Sequence, residues 1–408
     1  MIRSSQYFGL GLAFLLVLGT AGALCPVSAQ PSGGAADSDS LFVNTSVLDN
    51  GFPIRAFSVS LPAGNQADAF MEFVERDLAP AGINTLVVRV NWDYDFQSHP
   101  ELANPRGWNR RLAGRLAALC REKGITLVPL INLLGHQSWE GRAGKLLQVY
   151  PQFDEKPHVK LPEKYKWPNA DRLYCKSYCP NHPDVHAVVF DCVDEVVRDF
   201  GAKNFHAGLD EVFDLADINC PRCGGLDPAE LFAEEVNRIA AHLAPQGVRL
   251  WMWADRLIDG RPDASGYGEW SASLTNTHRA IDRIDRSVMM CDWHYRDAEQ
   301  SAVYFAIKGF DVITCGWERP DITRLQLDDM LRFRSHSSRH MSARFKGYMQ
   351  TVWSGFGQFL EEYRNGSERK PCAADNYRFL KEYLRRYSRQ AQPAADSAAE
   401  PSRPEFGI

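Results

Sequence analysis

Two adjacent carboxylates, Asp210 and Glu211, follow directly on the apolar run Asn204-Phe205-His206-Ala207-Gly208-Leu209. Neighbouring acids at the end of a buried strand repel each other, and the proton affinity of one rises, as a general acid at neutral pH requires. The other is left ionised, able to balance positive charge. Solvated loop acids, or an Asp210 that caps a helix, would use the same residue types. The buried run and the His-x-Gly before the pair favour the reactive reading. Other apolar runs end in similar chemistry: Asn91-Trp92-Asp93-Tyr94, Asn132 with Gly135-His136, Trp253 with Asp255, Asp292-Trp293-His294-Tyr295, Trp317-Glu318 and Trp353-Ser354. Tryptophan faces suit the apolar faces of sugar rings and carboxylates perform acid/base work, which together equip a site to cleave glycosides.

Eight short apolar runs must carry these residues: Arg55–Leu61, Ile83–Val90, Ile125–Ile131, Asn204–Leu209, Val248–Trp253, Ser287–Cys291, Asp311–Cys315 and Gly347–Val352. Between them lie segments with amphipathic helical spacing, clearest at Asp68–Leu78, Trp108–Glu122, Asp184–Phe200 and Pro228–Leu243. Gly82, Gly124, Gly201, Gly247 and Gly309 each precede the next run, as helix C-caps do. Eight strand–helix units predict an α/β fold, a single (β/α)8 TIM barrel with its site at the C-terminal ends of the strands. A doubly wound open sheet is the alternative, but the Gly-rich fingerprint after its first strand is missing.

The segment His206-Ala207-Gly208-Leu209-Asp210-Glu211 resembles the His-x-Gly-Gly-Asp-Glu signature of glycoside hydrolase family 20, the β-N-acetylhexosaminidases. Pro129-Leu130-Ile131-Asn132-Leu133-Leu134-Gly135-His136 is similar to that family's Pro-Glu-Ile-Asp-x-Pro-Gly-His segment, and Asp194-Glu195 followed by Phe200 fits the approach to the signature strand. The resemblance covers residues 55 to 360. It implies a substrate-assisted retaining mechanism in which the 2-acetamido oxygen of the sugar is the nucleophile. By the same resemblance Glu211 is the acid that later activates water, and Asp210 accepts the acetamido N–H. Trp253, Trp293, Trp317 and Trp353 are candidates to enclose the N-acetyl methyl, with Tyr295 and Glu318 beside them. His136 and His206 order the carboxylates. Four positions depart from the pattern, one being Ser354, which follows Trp353 where a Glu is usual. Leu209 stands where the signature has Gly and is expected to narrow the methyl pocket, Asn132 replaces Asp, and no arginine closes the first strand to hold sugar hydroxyls, because Arg55 lies at its other end. No accessory domain is expected before the barrel.

Two other readings use the same residues. Glu211 could act with Glu318 or Asp255 as a true nucleophile on non-acetylated sugars, or the barrel could bind carbohydrate without turnover. A metal hydrolase is disfavoured because His-x-His and His-Glu-x-x-His are missing, and no cofactor is expected. The chain has 408 residues, 45% hydrophobic and 24% charged, with a net charge of −5 and no block of like charge; this excludes wholesale disorder and a basic nucleic-acid face.

Arg3, the apolar run Tyr7–Leu24 and the small residues Val27-Ser28-Ala29 predict a signal peptide over residues 1–29, and hence a secreted or periplasmic protein. Membrane attachment would follow only if this segment stays uncleaved. A flexible linker over 30–41, the barrel over 42–389 and a disordered tail over 390–408 complete the organisation. Of ten cysteines Cys25 falls in the leader, which leaves an odd number. Cys120, Cys192, Cys291 and Cys315 sit in apolar patterns and read as buried small hydrophobes. Cys175, Cys179, Cys220 and Cys223 lie in polar loops and are expected to form one cross-linked unit, either disulfides or a structural zinc with His182 as a spare ligand, with four free thiols as the remaining alternative.

Overall fold

The computed structural model describes residues 43–390. The expected leader, linker and final tail from 391 lie outside the described residues.

The eight runs all form strands: β1 Ile54–Ser60, β2 Thr85–Arg89, β3 Thr126–Leu133, β4 Asn204–Gly208, β5 Arg249–Trp253, β6 Met289–Trp293, β7 Asp311–Gly316 and β8 Phe345–Thr351. Each pairs in parallel with its sequence neighbours, and β1 pairs with both β2 and β8, so the sheet closes into a barrel. Closure excludes the doubly wound alternative.

Period-two alternation sorts the side chains into two apolar layers. Ala56, Val87, Val128, Leu130, Trp251, Trp253, Met289, Cys291, Ile313, Cys315 and Met349 fill the barrel interior. Their neighbours Phe57, Leu86, Val88, Leu127, Phe205, Leu250, Met252 and Val312 face outward into a larger shell shared with the helices. Fully burying one such side chain contributes roughly 1.5–3 kcal/mol, and this strict alternation is what prevents a one-residue slip in strand register.

Local signals explain the helix ends. Asn109 caps Arg110–Glu122 by accepting from the Leu112 N–H at 3.1 Å, and Asp227 caps Pro228–Leu243, whose first residue is the proline favoured there. Val185–Asp199 and Ala67–Phe73, the latter continuing as a wider turn through Leu78, match the remaining expectations. The five glycines foreseen as C-caps all adopt positive φ. Trp108 differs from expectation. It lies outside the helix, bridges to Tyr94, and donates from its indole to the Pro62 carbonyl at 2.7 Å. Between β5 and β6 the expected helix is replaced by short 3-10 turns, Asp255–Leu257 and Thr277–Asp282. No described helix is long and apolar enough to cross a membrane.

Two glycines separate conformational from steric demand. Gly201 (φ +57°) would have open space around an added Cβ, whereas at Gly347 in β8 (φ +134°) the same atom would overlap the Ile54 carbonyl across the β1–β8 pair. Gly201→Ala is expected to cost about 1 kcal/mol. Gly347→Ala should cost more than about 3 kcal/mol or prevent folding. Urea unfolding of both variants checks the difference.

Candidate active site

The site forms where β4 leaves the barrel. His206 points inward from the middle of β4, and its Nδ1 accepts the Gly208 N–H at 3.0 Å, which fixes the ring proton on Nε2. Gly208 and Leu209 then both take left-handed φ, +69° and +70°, and Glu211 follows at +49°. A Cβ at Gly208 would collide with the Asn132 side chain on β3, so glycine is required there twice over. For Leu209 the conformation stores about 1–2 kcal/mol of strain. This double turn interrupts the alternation of the strand and corrects the expectation for Leu209. Its side chain, 1% exposed, packs in the outer shell with Val212 and Leu134 and does not belong to the barrel interior.

The same turn delivers Asp210 and Glu211 to the mouth. His136 Nε2, carried by the loop after β3, lies 3.4 Å from Asp210 Oδ2 and 3.4 Å from Glu211 Oε2. Gly135 permits this approach, because a Cβ there would press on the Asp210 carbonyl and Val212. Burial opposes a charged His136, but Asp210, Cys175 and Glu211 outweigh it and lift its pKa well above the usual range. Burial likewise pushes Asp210 upward, and His136, with smaller help from the backbone and His206, holds it below its ordinary value. The three groups have ligand atoms within 4.8 Å of one another and are close enough to share one cation, a role a proton on His136 fills. Asp210 Oδ1 is buried, and no donor among the described residues reaches it.

Asp255 and Glu318 occupy other roles. Asp255 is buried; its Oδ2 accepts the Glu211 backbone N–H at 3.0 Å and Arg256 Nε at 2.6 Å, while Oδ1 accepts the Trp293 indole N–H at 3.2 Å. It thus orients Glu211 and one wall tryptophan. Glu318 is paired with Arg369 at 2.7 Å. Glu195 accepts the backbone N–H groups of Gln97 and Ser98 and ties its helix to a loop, while Asp194 pairs with His242 of the helix Pro228–Leu243 and ties two helices together.

The five aromatic candidates form one arc. Trp253 meets His206 at 4.6 Å and Trp353 at 5.7 Å between ring centres. The Trp353 indole donates to the Tyr295 hydroxyl at 3.0 Å, and Tyr295 contacts Trp293 at 5.1 Å and Trp317 at 5.5 Å.

Two features escaped the sequence reading. The first is Arg89, at the end of β2 and in register with Ser60 of β1. It is buried, donates to Ser60 Oγ, Ser58 Oγ and the Val352 carbonyl, and stacks 4.6 Å above Trp353. Burial lowers its pKa to about 10, with Tyr295 and Asp210 opposing the shift. An arginine thus stands at the end of the second strand, beside the end of the first. A charge closing the run Leu86-Val87-Val88 was the available signal. The second feature is another aromatic wall from long loops: Trp139, Trp167, Tyr174, Phe213 and Trp270. Tyr174 contacts His136 at 6.0 Å and Trp270 at 4.9 Å, and Trp139 lies 59% exposed above His136. Burial and the nearby Glu211 carboxylate raise the pKa of the Tyr174 hydroxyl. These residues end no barrel strand, so only folding gathers them.

Cys175 is corrected. It lies beside His136, apart from the other three loop cysteines. Cys179, Cys220 and Cys223 cluster around Glu155 instead. His182 is not among them; its ring packs on Phe153, and its Nδ1 accepts the Asp184 N–H. No disulfide joins any of the nine described cysteines, and Cys120, Cys192, Cys291 and Cys315 are buried as expected.

A closed parallel barrel with paired acids and aromatic walls at its C-terminal mouth has the layout of a sugar-cleaving barrel enzyme. The family model for the catalytic domain of glycosyl hydrolase family 20 matches residues 99–358, and the chain belongs to that family. Among solved structures it is similar to the chitobiase of Flavobacterium johnsoniae, with 17% identity and a TM-score of 0.55 over 83% of this chain and 52% of that one. The β-N-acetylhexosaminidase of Bacteroides fragilis NCTC 9343 matches with 14% identity and a TM-score of 0.55, over 82% and 66%. A Vibrio harveyi exo-β-N-acetylglucosaminidase, solved with N-acetylglucosamine, matches with 13% identity and a TM-score of 0.57, over 82% and 54%. The chain thus spans about half to two-thirds of the length of these proteins, and at such identities the likeness shows the fold. No curated protein matches the chain.

His136→Asn removes the cation that holds the Asp210 pKa down, so Asp210 should then protonate at higher pH. The acid limb of the kcat/KM profile is expected to move upward, with about a 100-fold loss at neutral pH. An unchanged acid limb would show that His136 does not set the charge of Asp210.

Proposed function

We propose that the chain hydrolyses terminal β-N-acetylhexosaminides with retention, using the 2-acetamido group of the substrate as nucleophile. The observation that carries this reading is the unsatisfied, buried Asp210 Oδ1 beside Glu211. A buried acceptor lacking a donor favours a ligand that brings one, and an acetamido N–H is such a donor. As the amide oxygen attacks the anomeric carbon, positive charge grows on the amide nitrogen, and ionised Asp210 stabilises it. Glu211 protonates the departing glycosidic oxygen and then takes a proton from the attacking water. Asp255 keeps Glu211 in place through its backbone N–H. The arc of Trp253, Trp293, Tyr295, Trp317 and Trp353 encloses the sugar and its methyl, Arg89 offers donors to the ring hydroxyls, and the wall around Tyr174 receives the leaving side.

Separation of the carboxylates does not distinguish this mechanism from a two-carboxylate one, for which about 5–5.5 Å is usual. The engagement of Asp255 and Glu318 with arginines disfavours them as nucleophiles. Export from the cytoplasm is part of the same proposal and rests on the leader pattern of residues 1–29. N-terminal sequencing of the exported protein tests it, with Gln30 as the expected first residue.

The decisive comparison sets aryl N-acetylglucosaminide and N-acetylgalactosaminide beside the plain glucoside. The acetylated substrates should turn over and the glucoside should not; comparable rates on all three would move the reaction to a protein nucleophile. For Glu211→Gln, a loss of roughly 10²–10⁴ is expected on poor leaving groups and a much smaller one on activated aryl glycosides, which need little protonation. Asp210→Asn keeps a hydrogen bond but loses the charge, so turnover and the affinity for a thiazoline analogue of the cyclised intermediate should fall together. If thiazoline affinity survives while turnover falls, Asp210 does not stabilise the charged bicycle.

A further inference from the structure

A second cluster of chemistry, built from residues other than those of the acid pair, has no part in the reaction above. Cys220 and Cys223 sit on a Cys-Pro-Arg-Cys turn in the loop after β4, nine and twelve residues beyond Glu211. Cys179 and Glu155 come from the long excursion between β3 and β4, where Asp154 bridges to Tyr178 and the Cys179 N–H donates to the Phe153 carbonyl at 2.6 Å. The three sulfurs lie 3.1, 3.5 and 3.6 Å apart. Glu155 Oε2 is 3.2 Å from the Cys220 sulfur and 3.0 Å from that of Cys223. All four side chains are buried.

We propose that Glu155, Cys179, Cys220 and Cys223 bind one zinc ion that ties the β3–β4 excursion to the loop carrying Glu211. Four inward-facing ligand atoms from two chain segments make a closed tetrahedron, the form of a structural site with no open position for catalysis. With zinc–sulfur bonds of about 2.3 Å, a tetrahedron places its sulfurs about 3.8 Å apart, so a small outward adjustment admits the ion. Charge points the same way. The Glu155 carboxylate is fully buried, and no lysine, arginine or histidine among the described residues pairs with it. Its one backbone donor is the Asp217 N–H at 3.2 Å. The nearby lysines are committed elsewhere, Lys156 to Asp214 at 2.7 Å and Lys176 to Asp154 at 2.8 Å. A buried carboxylate facing three thiols without a counter-charge calls for a cation. A disulfide between any two of the sulfurs would leave the third thiol and the carboxylate unserved. Thiolates select zinc, copper(I) or iron, and a tetrahedral set of three sulfurs and one hard oxygen favours zinc among them.

The test uses the full chain purified without chelators. Elemental analysis is expected to give one zinc per chain, and X-ray absorption to show three sulfurs at about 2.3 Å and one oxygen at about 2.0 Å. Releasing the zinc with a thiol reagent and a chelator should lower Tm by several degrees, and reversing the modification and adding zinc sulfate should restore it. Glu155→Gln should reduce zinc occupancy, whereas Cys175→Ser, altering the loop cysteine outside the cluster, should leave it at one. A chain lacking stoichiometric metal, another metal in its place, or a two-dalton mass deficit mapped to a disulfide within the cluster would each overturn the assignment. Loss of zinc in Cys175→Ser with retention in Glu155→Gln would do the same. If the variants fail to fold, the metal content and absorption spectrum of the unaltered chain decide alone.

Discussion

Placing two carboxylates side by side where a strand leaves the barrel is the constraint around which the rest of this molecule is arranged. Asp210 and Glu211 are withdrawn from water and repel each other, and neither neighbour in sequence relieves the repulsion. Relief comes from another strand. His136 Nε2 stands 3.4 Å from both acids, and the charge that Asp210 stabilises on the imidazole keeps Asp210 itself ionised. The arrangement holds only while the β3 and β4 loops touch, which explains the glycines at 135 and 208. Each lies where a side chain would force the two loops apart.

The barrel turns this local demand into a site. Because its strands are parallel and in register, their C-terminal residues arrive together at one mouth, and the interior beneath is plugged with Trp251, Met289, Ile313 and Met349. The mouth has an apolar floor and a polar rim, so charges and hydrogen bonds there act in a medium less screening than water. Asp255 shows the economy of the arrangement. One buried carboxylate holds the backbone of the acid, an indole of the sugar wall and Arg256 at once. Removing it would disturb both the acid and the wall.

The strain stored in the β4 turn has a comparable purpose. Two consecutive left-handed residues, the second a leucine, send one side chain out to the shell and the next two into the mouth. A strand continuing its alternation would have sent Asp210 and Glu211 to opposite faces. The burial of Leu209 offsets the cost of its conformation, and this explains how the position dispenses with the glycine of the family signature.

Much of this was legible from the sequence alone, and the limits are physical. Eight apolar runs, glycine caps and period-two alternation determined the barrel, because burial and backbone geometry act over a few residues. The Asp210-Glu211 pair and the aromatic strand ends were readable for the same reason: a parallel barrel puts every strand end at one mouth. Tertiary structure alone decided the rest. It showed that Arg89 of β2 serves beside β1, and that Asp255 is a support held by Arg256. It also assembled Trp139, Trp167, Tyr174, Phe213 and Trp270 into a second wall, and exchanged Cys175 for Glu155 in the thiol cluster. Each of these depends on contacts between residues distant in the chain, whose loops follow no period, so spacing along the sequence carries no record of where they meet.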